Sequence, residues 1–376
     1  MKHDDMKTGA DRFSCFMFSC FTSASMPMDT TNARPVPPRM LHWKRVLLAH
    51  GGGGQLTDDL VGGVVLPRLG NSALNELLDS GIAAAGGERL ALTIDSYVVQ
   101  PLEFPGGDIG KLAVCGTIND LAVCGARPLA LAMSLILQEG LERSVLERVM
   151  DSAAATAKEA GVAVITGDTK VVGHGQGDGV YITTAGLGHM RPGLRLHPDQ
   201  VRPGDAILVN GPIADHGLAV MLAREMPQVT SVLKSDVAPL NTMIQGLLDR
   251  VPGIKFMRDA TRGGLAGVAA DLASRTGLHV VLDEAQIVVR PETRHAAEML
   301  GLDPLDVANE GKVVVVVEKE KAPLALKTLR EYIHGVDSRL VGWIEDQPDG
   351  ICELRTTIGG RRVLQKPYGE QLPRIC

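Results

Sequence analysis

Five acidic residues stand beside glycine or other small residues in short polar stretches rather than along charged helix faces. Asp95 lies in TIDS, Asp120 follows Asn119 in GTIND, Asp168 lies in TGDTK, Asp259 opens DATRGG, and Glu310 lies in ANEG. Carboxylates at strand ends and in loops suit magnesium, which takes oxygen ligands and usually shares them with phosphate. Any one of the five is equally well a turn or helix-cap residue. Their recurrence is what points to metal and phosphate chemistry.

Other groups extend that reading. On a helix, Lys111, Cys115 and Asn119 fall at i, i+4 and i+8 and share a face, with Asp120 one step round. Such a face can offer an ammonium and an amide to a phosphate and a carboxylate to its metal, and the helix N-terminus favours an anion. The plain alternative is a surface lysine above a core cysteine. Gly52, Gly53 and Gly54 in HGGGGQ can let backbone N–H groups approach an anion. That stretch lacks the Gly-Lys-Ser/Thr ending of a Walker A loop and the context of a dinucleotide fingerprint, so a flexible loop explains it as well. In DATRGG, Asp259 can cap a helix and Arg262 can clamp a phosphate. Lys170 follows Asp168 by two residues, and a buried lysine with a carboxylate such as Glu310 can move protons. The sequence closes on Cys376, which reads either as an accident of a tolerant terminus or as a thiol on a flexible arm.

The elements that must position these groups are legible in outline. Order is expected from about Val46, with AHGGGGQLTDDLV a glycine-rich loop entering a helix. RLALTIDSYVV alternates as a strand ending at Asp95, KLAVCGTINDLAVCGA reads as a helix, and LALAMSLILQ as a buried strand. A strong helix, LERSVLERVMDSAAATAKEAG, stops on glycine; VAVITGDTKVV then reads as a strand running into a polar turn, with Asp168 after the strand, and GVYITTAGLGH as another strand. RPGLRLHPDQVRPGD links this unit to a second mixture of helices and strands, and signals weaken from about Asp346. Adjacent strands mixed with helices predict α+β architecture rather than a strictly alternating parallel sheet.

Composition sets the bounds. A chain of 376 residues with 45% apolar side chains can bury two cores. The net charge of -6 argues against general nucleic-acid binding. Six cysteines without a CxxC pair exclude the usual zinc spacing and a disulfide scaffold, which suits a reducing, cytoplasmic setting. No apolar run reaches the length of a membrane span. The first 44 residues, ending in the Pro-rich NARPVPPRM and the few residues after it, read as a disordered leader and linker.

Taken together, IDSYVVQPLEFPGGDIGKLAVCGTINDLAVCGA, TGDTKVV, DHG, RDATRGGL, ANEGK and the closing LPRIC resemble the HypE family of hydrogenase maturation proteins. That family sits in the superfamily of aminoimidazole ribonucleotide synthetase and selenophosphate synthetase. The resemblance runs from about residue 46 to 376 and implies a two-domain PurM-like α+β fold. An N-terminal ATP-binding domain over 45–192 would pair with its twin to close a dimeric β-barrel. A layered C-terminal domain would span 200–346, and a flexible tail over 347–376 would carry the reactive thiol. The resemblance further implies that Cys376 accepts a carbamoyl group from the carbamoyltransferase HypF, that ATP dehydrates it to a thiocyanate, and that cyanide passes to iron on a HypC–HypD scaffold for [NiFe]-hydrogenase. Asp95, Asp120, Asp168 and Asp259 would hold Mg2+. Gly52, Gly53, Gly54, Lys111, Asn119, Thr169, Thr261 and Arg262 would join them around ATP, with Glu310 and Lys170 as the proton-transfer pair. The rival readings are another ATP-dependent member of the superfamily, of the selenophosphate synthetase or thiamine-phosphate kinase kind, and a non-catalytic adaptor that keeps the fold.

Overall fold

The computed structural model describes residues 43–369 and 374–376. The leader expected over 1–44 lies outside the described residues except for Trp43 and Lys44. From there α1 (Gln55–Leu60) runs through one π-helical stretch, Val61–Val65, into α2 (Leu66–Leu69). The N-terminal unit then comprises β1 (Gly81–Ala85), β2 (Glu88–Tyr97), a ribbon of β3 (Glu103–Phe104) and β4 (Gly107–Asp108), α3 (Ile109–Val123), β5 (Ala126–Gln138), α4 (Arg143–Ala160), β6 (Ala163–Val172) and β7 (Val180–Met190). Its five-stranded sheet has the order β1-β2-β7-β5-β6, antiparallel except for the β5/β6 pair that α4 connects.

All of α3 is buried except Lys111 and Asp120, as expected for a helix apolar on nearly every side. Asp108 caps it, its Oδ1 accepting the N–H groups of Gly110 at 2.7 Å and Lys111 at 3.0 Å. α4 buries Val149, Ala153, Ala157 and Ala160 and stops at Gly161 in the left-handed conformation. Both helices cover one face of the sheet, where Tyr97, Leu131, Met133 and Ile182 join them in a common core.

Among the described residues, nothing covers the sheet's other face. By register, Ser96, Thr183, Ser134 and Asp168 share a row across it, and Ile136 and Lys170 share another. Leu92 is 58% and Ile94 67% exposed there. The sheet is open, with β1 and β6 as edges.

The C-terminal unit comprises β8 (Ala206–Val209), α5 (Asp215–Glu225), α6 (Asn241–Arg250), β9 (Ile254–Asp259), α7 (Gly264–Thr276), β10 (His279–Asp283), α8 (Pro291–Leu300), β11 (Val313–Val317), α9 (Ala322–Leu329), β12 (Arg339–Glu345), β13 (Cys352–Arg355) and β14 (Arg361–Leu364). They form a seven-stranded sheet of order β14-β13-β10-β12-β8-β11-β9. β11 is five buried valines. Val314 and Val316 pack with α7 on one face, and Val313, Val315 and Val317 pack with α6 and α9 on the other. That alternation makes a helix–sheet–helix sandwich.

Three expectations need correction. β2 runs through Asp95 to Tyr97, so Asp95 is inside the strand. Asp168 is likewise inside β6. The sheet also continues past 346: β13 pairs with β10 and β14 with β13, so the tail does not begin at 347. The reason is non-local pairing, which lets short strands rich in Glu and Arg join a sheet without a strong local pattern.

Candidate active site

A cavity of about 660 Å3 opens between the two units, within the range of small-ligand sites. Alternation along β2 turns Thr93, Asp95 and Tyr97 to one side. Thr93 Oγ1 lies 2.8 Å from Asp120 Oδ2, and the Tyr97 hydroxyl donates to Asp95 Oδ2 at 3.2 Å. Gly116 of α3 makes room for that hydroxyl, since a Cβ there would stand 2.2 Å from it. β9 delivers Arg258 and Asp259, and the turn into α7 delivers Thr261 and Arg262. The Arg258 guanidinium pairs with Asp79 at 3.0 Å and Asp271 at 2.6 Å. Gly53, at φ +73°, brings the glycine-rich loop against Arg262, with a Cβ at 2.8 Å from Arg262 Cβ were one present. Arg262 Nη1 in turn donates to Gly51 O at 3.3 Å.

The carboxyls here are crowded and dry. Burial, then Asp259 and Asp95, drives the Asp120 carboxyl well above the usual range. Burial, then Asp79 and Asp95, pushes Asp259 up to about 8. Burial, with Asp259 next, raises Glu310 as well. Glu310 is 3% exposed and its Oε1 has no hydrogen-bond partner. A cluster that resists ionisation in this way is a place for a cation to bind. Among the described residues, no three carboxylate, histidine or cysteine groups converge tightly enough to hold a metal alone. The donor set fits magnesium in its usual role, held by one or two carboxylates together with phosphate oxygens and water.

Cys376 lines the same cavity. Its main-chain oxygen accepts the Val98 N–H at 3.2 Å, and the Arg374 carbonyl accepts the Gln100 N–H at 3.2 Å, so the last residues lie along the chain just beyond β2. Ile375 is 2% exposed within the core shared by both units. The Arg374 guanidinium pairs with Asp178 at 2.6 Å. The largest influence holding the Arg262 guanidinium above its usual pKa is negative charge at Cys376.

Of the residues expected from sequence, Gly53, Asp95, Asp120, Asp259, Thr261, Arg262, Glu310 and Cys376 therefore meet around one cavity. The others do not line it. Asn119 is buried and bridges the units, its side chain bonding Ala238 O at 3.0 Å and the Leu240 N–H at 2.8 Å. Lys111 donates to Gly106 O at 3.4 Å, and Cys115 is core, its thiol driven up by burial. Gly52 and Gly54 flank the loop without facing the cavity. Asp168, Thr169 and Lys170 sit on exposed β6, where the Lys170 ammonium is 2.7 Å from Asp168. Within one chain, then, Lys170 and Glu310 are not a pair. Sequence reasoning missed Asp79, Tyr97 and Arg258. Tyr97 had a signal, because it follows Asp95 by two residues on a strand and must share its face.

The fold and this cleft define a two-domain protein of the AIR synthase related class. The N-terminal domain of that family matches residues 78–190 and its C-terminal domain residues 202–355. Carbamoyl dehydratase HypE of Rhodobacter capsulatus is 46% identical over 336 residues, covering 89% of this chain and 98% of that protein. The crystal structure of a HypE–HypF complex superposes with a TM-score of 0.77 at 40% identity, over 82% of this chain and 99% of that one. A structure of hydrogenase maturation protein HypE in complex with ATP gives 0.74 at 40% identity, over 88% and 100%. The chain belongs to the HypE family of hydrogenase maturation proteins.

Proposed function

We propose that this protein is an ATP-dependent carbamoyl dehydratase that makes the cyanide ligand of a [NiFe]-hydrogenase on its own Cys376. One observation carries the reading: Cys376, Glu310 and the acidic cluster Asp95, Asp120 and Asp259 line a single cavity. A thiol alone suits many roles, and carboxylates alone suit many ligands. A thiol delivered to a phosphate-and-metal site suits activation of something the thiol carries.

The Cys376 thiolate attacks a carbamoyl carbon supplied by a HypF-type partner, forming S–C(=O)NH2 as the donor's leaving group departs. The thiocarboxamide oxygen then attacks the γ-phosphorus of ATP and ADP leaves. Loss of both N–H protons expels that oxygen as phosphate and leaves S–C≡N. Glu310, once its proton has been lost, is the base placed to take a proton from the nitrogen. Arg262, with the loop around Gly53, lies where it can hold phosphate oxygens, and one or two carboxylates of the cluster Asp95, Asp120 and Asp259 would hold the divalent cation together with those oxygens and water. When bound, magnesium supplies charge neutralisation on the transferring phosphoryl group. The nitrile then passes to iron on a HypC–HypD-type scaffold.

The reading includes a cytoplasmic homodimer. Cys115, Cys124 and Cys352 are free thiols, which suits a reducing compartment. The uncovered sheet face bears Leu92, Ile94, Ile136 and Leu187; closing it against its twin into a barrel hides them and removes free strand edges. Asp168 and Lys170 lie on that face, so a second chain is what would bring them to an ATP site.

Intact-protein mass tests the chemistry. With the HypF-type partner, carbamoyl phosphate, ATP and magnesium, Cys376 gains about 43 Da and then falls to about 25 Da above its starting mass as ATP is consumed. Cys376→Ser shows neither species. ATP turnover on a small molecule with no change at Cys376 overturns the reading in favour of a kinase-like one.

A further inference from the structure

The DHG motif has no part in the chemistry above, yet its histidine holds the thiol-bearing end of the chain. His216, the second residue of α5, is fully buried. Its Nε2 lies 3.1 Å from Ile375 O and its Nδ1 2.8 Å from Ser235 Oγ. A carbonyl oxygen only accepts, so Nε2 carries the ring proton. Nδ1 then accepts the Ser235 hydroxyl, whose oxygen accepts the Val237 N–H at 3.1 Å. Every polar group in that chain of bonds is satisfied with the imidazole neutral. Burial lowers the ring's pKa in the same sense. Phe104 packs edge-on to the ring at 5.4 Å.

The arrangement reaches the site from two directions. Ile375 is one residue before Cys376, so the bond from His216 and the apolar seat of Ile375 fix the thiol's approach. Ser235 is followed by Asp236, whose Oδ1 accepts the Glu310 N–H at 3.1 Å and whose carboxylate pairs with Lys312 at 2.7 Å. The same short stretch thus supports the histidine and the carboxylate proposed as base.

We propose that His216 is a positioning residue, a neutral Nε2–H latch that seats Ile375 and holds Cys376 in the cavity for the ATP-consuming step. Collecting a carbamoyl group from another protein requires the latch to open. The assignment of steps rests on the carbamoyl dehydratase reading; the latch itself rests on the geometry.

Two measurements on the full chain separate these. The first is the rate at which iodoacetamide alkylates Cys376, located by peptide mass, without ATP or partner. His216→Ala raises it by about fivefold to tenfold, the scale of one lost hydrogen bond. His216→Gln, whose amide can donate to the same carbonyl, returns towards the wild-type rate. Ile375→Ala opens the seat from the tail side with α5 intact, and carries the test if His216→Ala does not fold. Unchanged alkylation in these variants overturns the latch. The second follows loading and dehydration in a single turnover. In His216→Ala, loading keeps its rate and dehydration slows, whereas equal slowing of both overturns a positioning role. If wild-type protein never gains the carbamoyl group, the dehydratase reading fails while the alkylation result still decides the latch.

Discussion

Asp120, Asp259 and Glu310 hold on to their protons for two shared reasons: each carboxyl group is withdrawn from water, although Asp120 as a residue is only partly covered, and each faces the charge of other carboxylates. That has a measurable cost. In the unfolded chain these groups ionise near pH 4, whereas Asp259 in the fold ionises near 8. Between those values the folded state binds more protons than the unfolded one, so stability is full below about pH 4 and falls as pH rises towards 8. Without ligand, Tm should fall across that window, by roughly 1–2 °C for each kcal/mol in a chain of this size. Asp259→Asn should flatten the fall, and Mg2+ with ATP should oppose it by binding the ionised form. A wild-type profile no steeper than that of Asp259→Asn would mean that the cluster is not under this strain. Much of the cluster was legible because Asp95, Asp120, Asp259 and Glu310 stand among small residues. Asp79 and Arg258 were not, because their role is set by an ion pair between residues 179 positions apart.

Among the elements, α3 does the most to place the site, since Asp120 lies on it and Gly116 fits under Tyr97. A buried helix between two units has little water to satisfy its first N–H groups, so the Asp108 cap is needed. Asp108→Ala should lower stability by about 1 kcal/mol, read as a lower Tm, with weaker ATP binding because Asp120 rides on the same helix. Unaltered Tm would mean that other groups satisfy that end. The helix was readable from sequence because it is long and apolar, and α4 because it is long and stops on glycine. β9, β13 and β14 were not, because their partners lie far off in the chain: β9 joins β11, and β13 joins β10. Arg361 and Arg362 on the outermost strand look like loop until the sheet is seen. The terminal segment has a seat that its sequence does not show. LPRIC reads as a mobile arm, yet Arg374–Cys376 is bonded to Val98 and Gln100, and backbone pairing of that kind carries no side-chain signature.

At the scale of the whole molecule, the site is incomplete in one chain if Asp168 and Lys170 belong to it. Those residues lie on the uncovered face of the first sheet, whereas Asp120 lies on α3, which covers the opposite face. No hinge within a chain carries a side chain from one face of a sheet to the other. A second copy can do so, and the apolar surface at Leu92 and Ile94 gives it reason to dock. Leu92 does not line the cavity, so Leu92→Glu tests association without touching the acidic cluster. Burying that charge costs more than an interface of this kind returns. The wild-type protein should therefore sediment at twice 39.9 kDa and Leu92→Glu at that single mass. If Lys170 acts across the interface, the monomeric variant loses the step from 43 to 25 Da, and adding protein that carries Glu310→Gln does not restore it. A monomer that still dehydrates its thiocarboxamide would show that one chain holds the whole site, and would return Lys170 and Asp168 to the ordinary role of a surface ion pair.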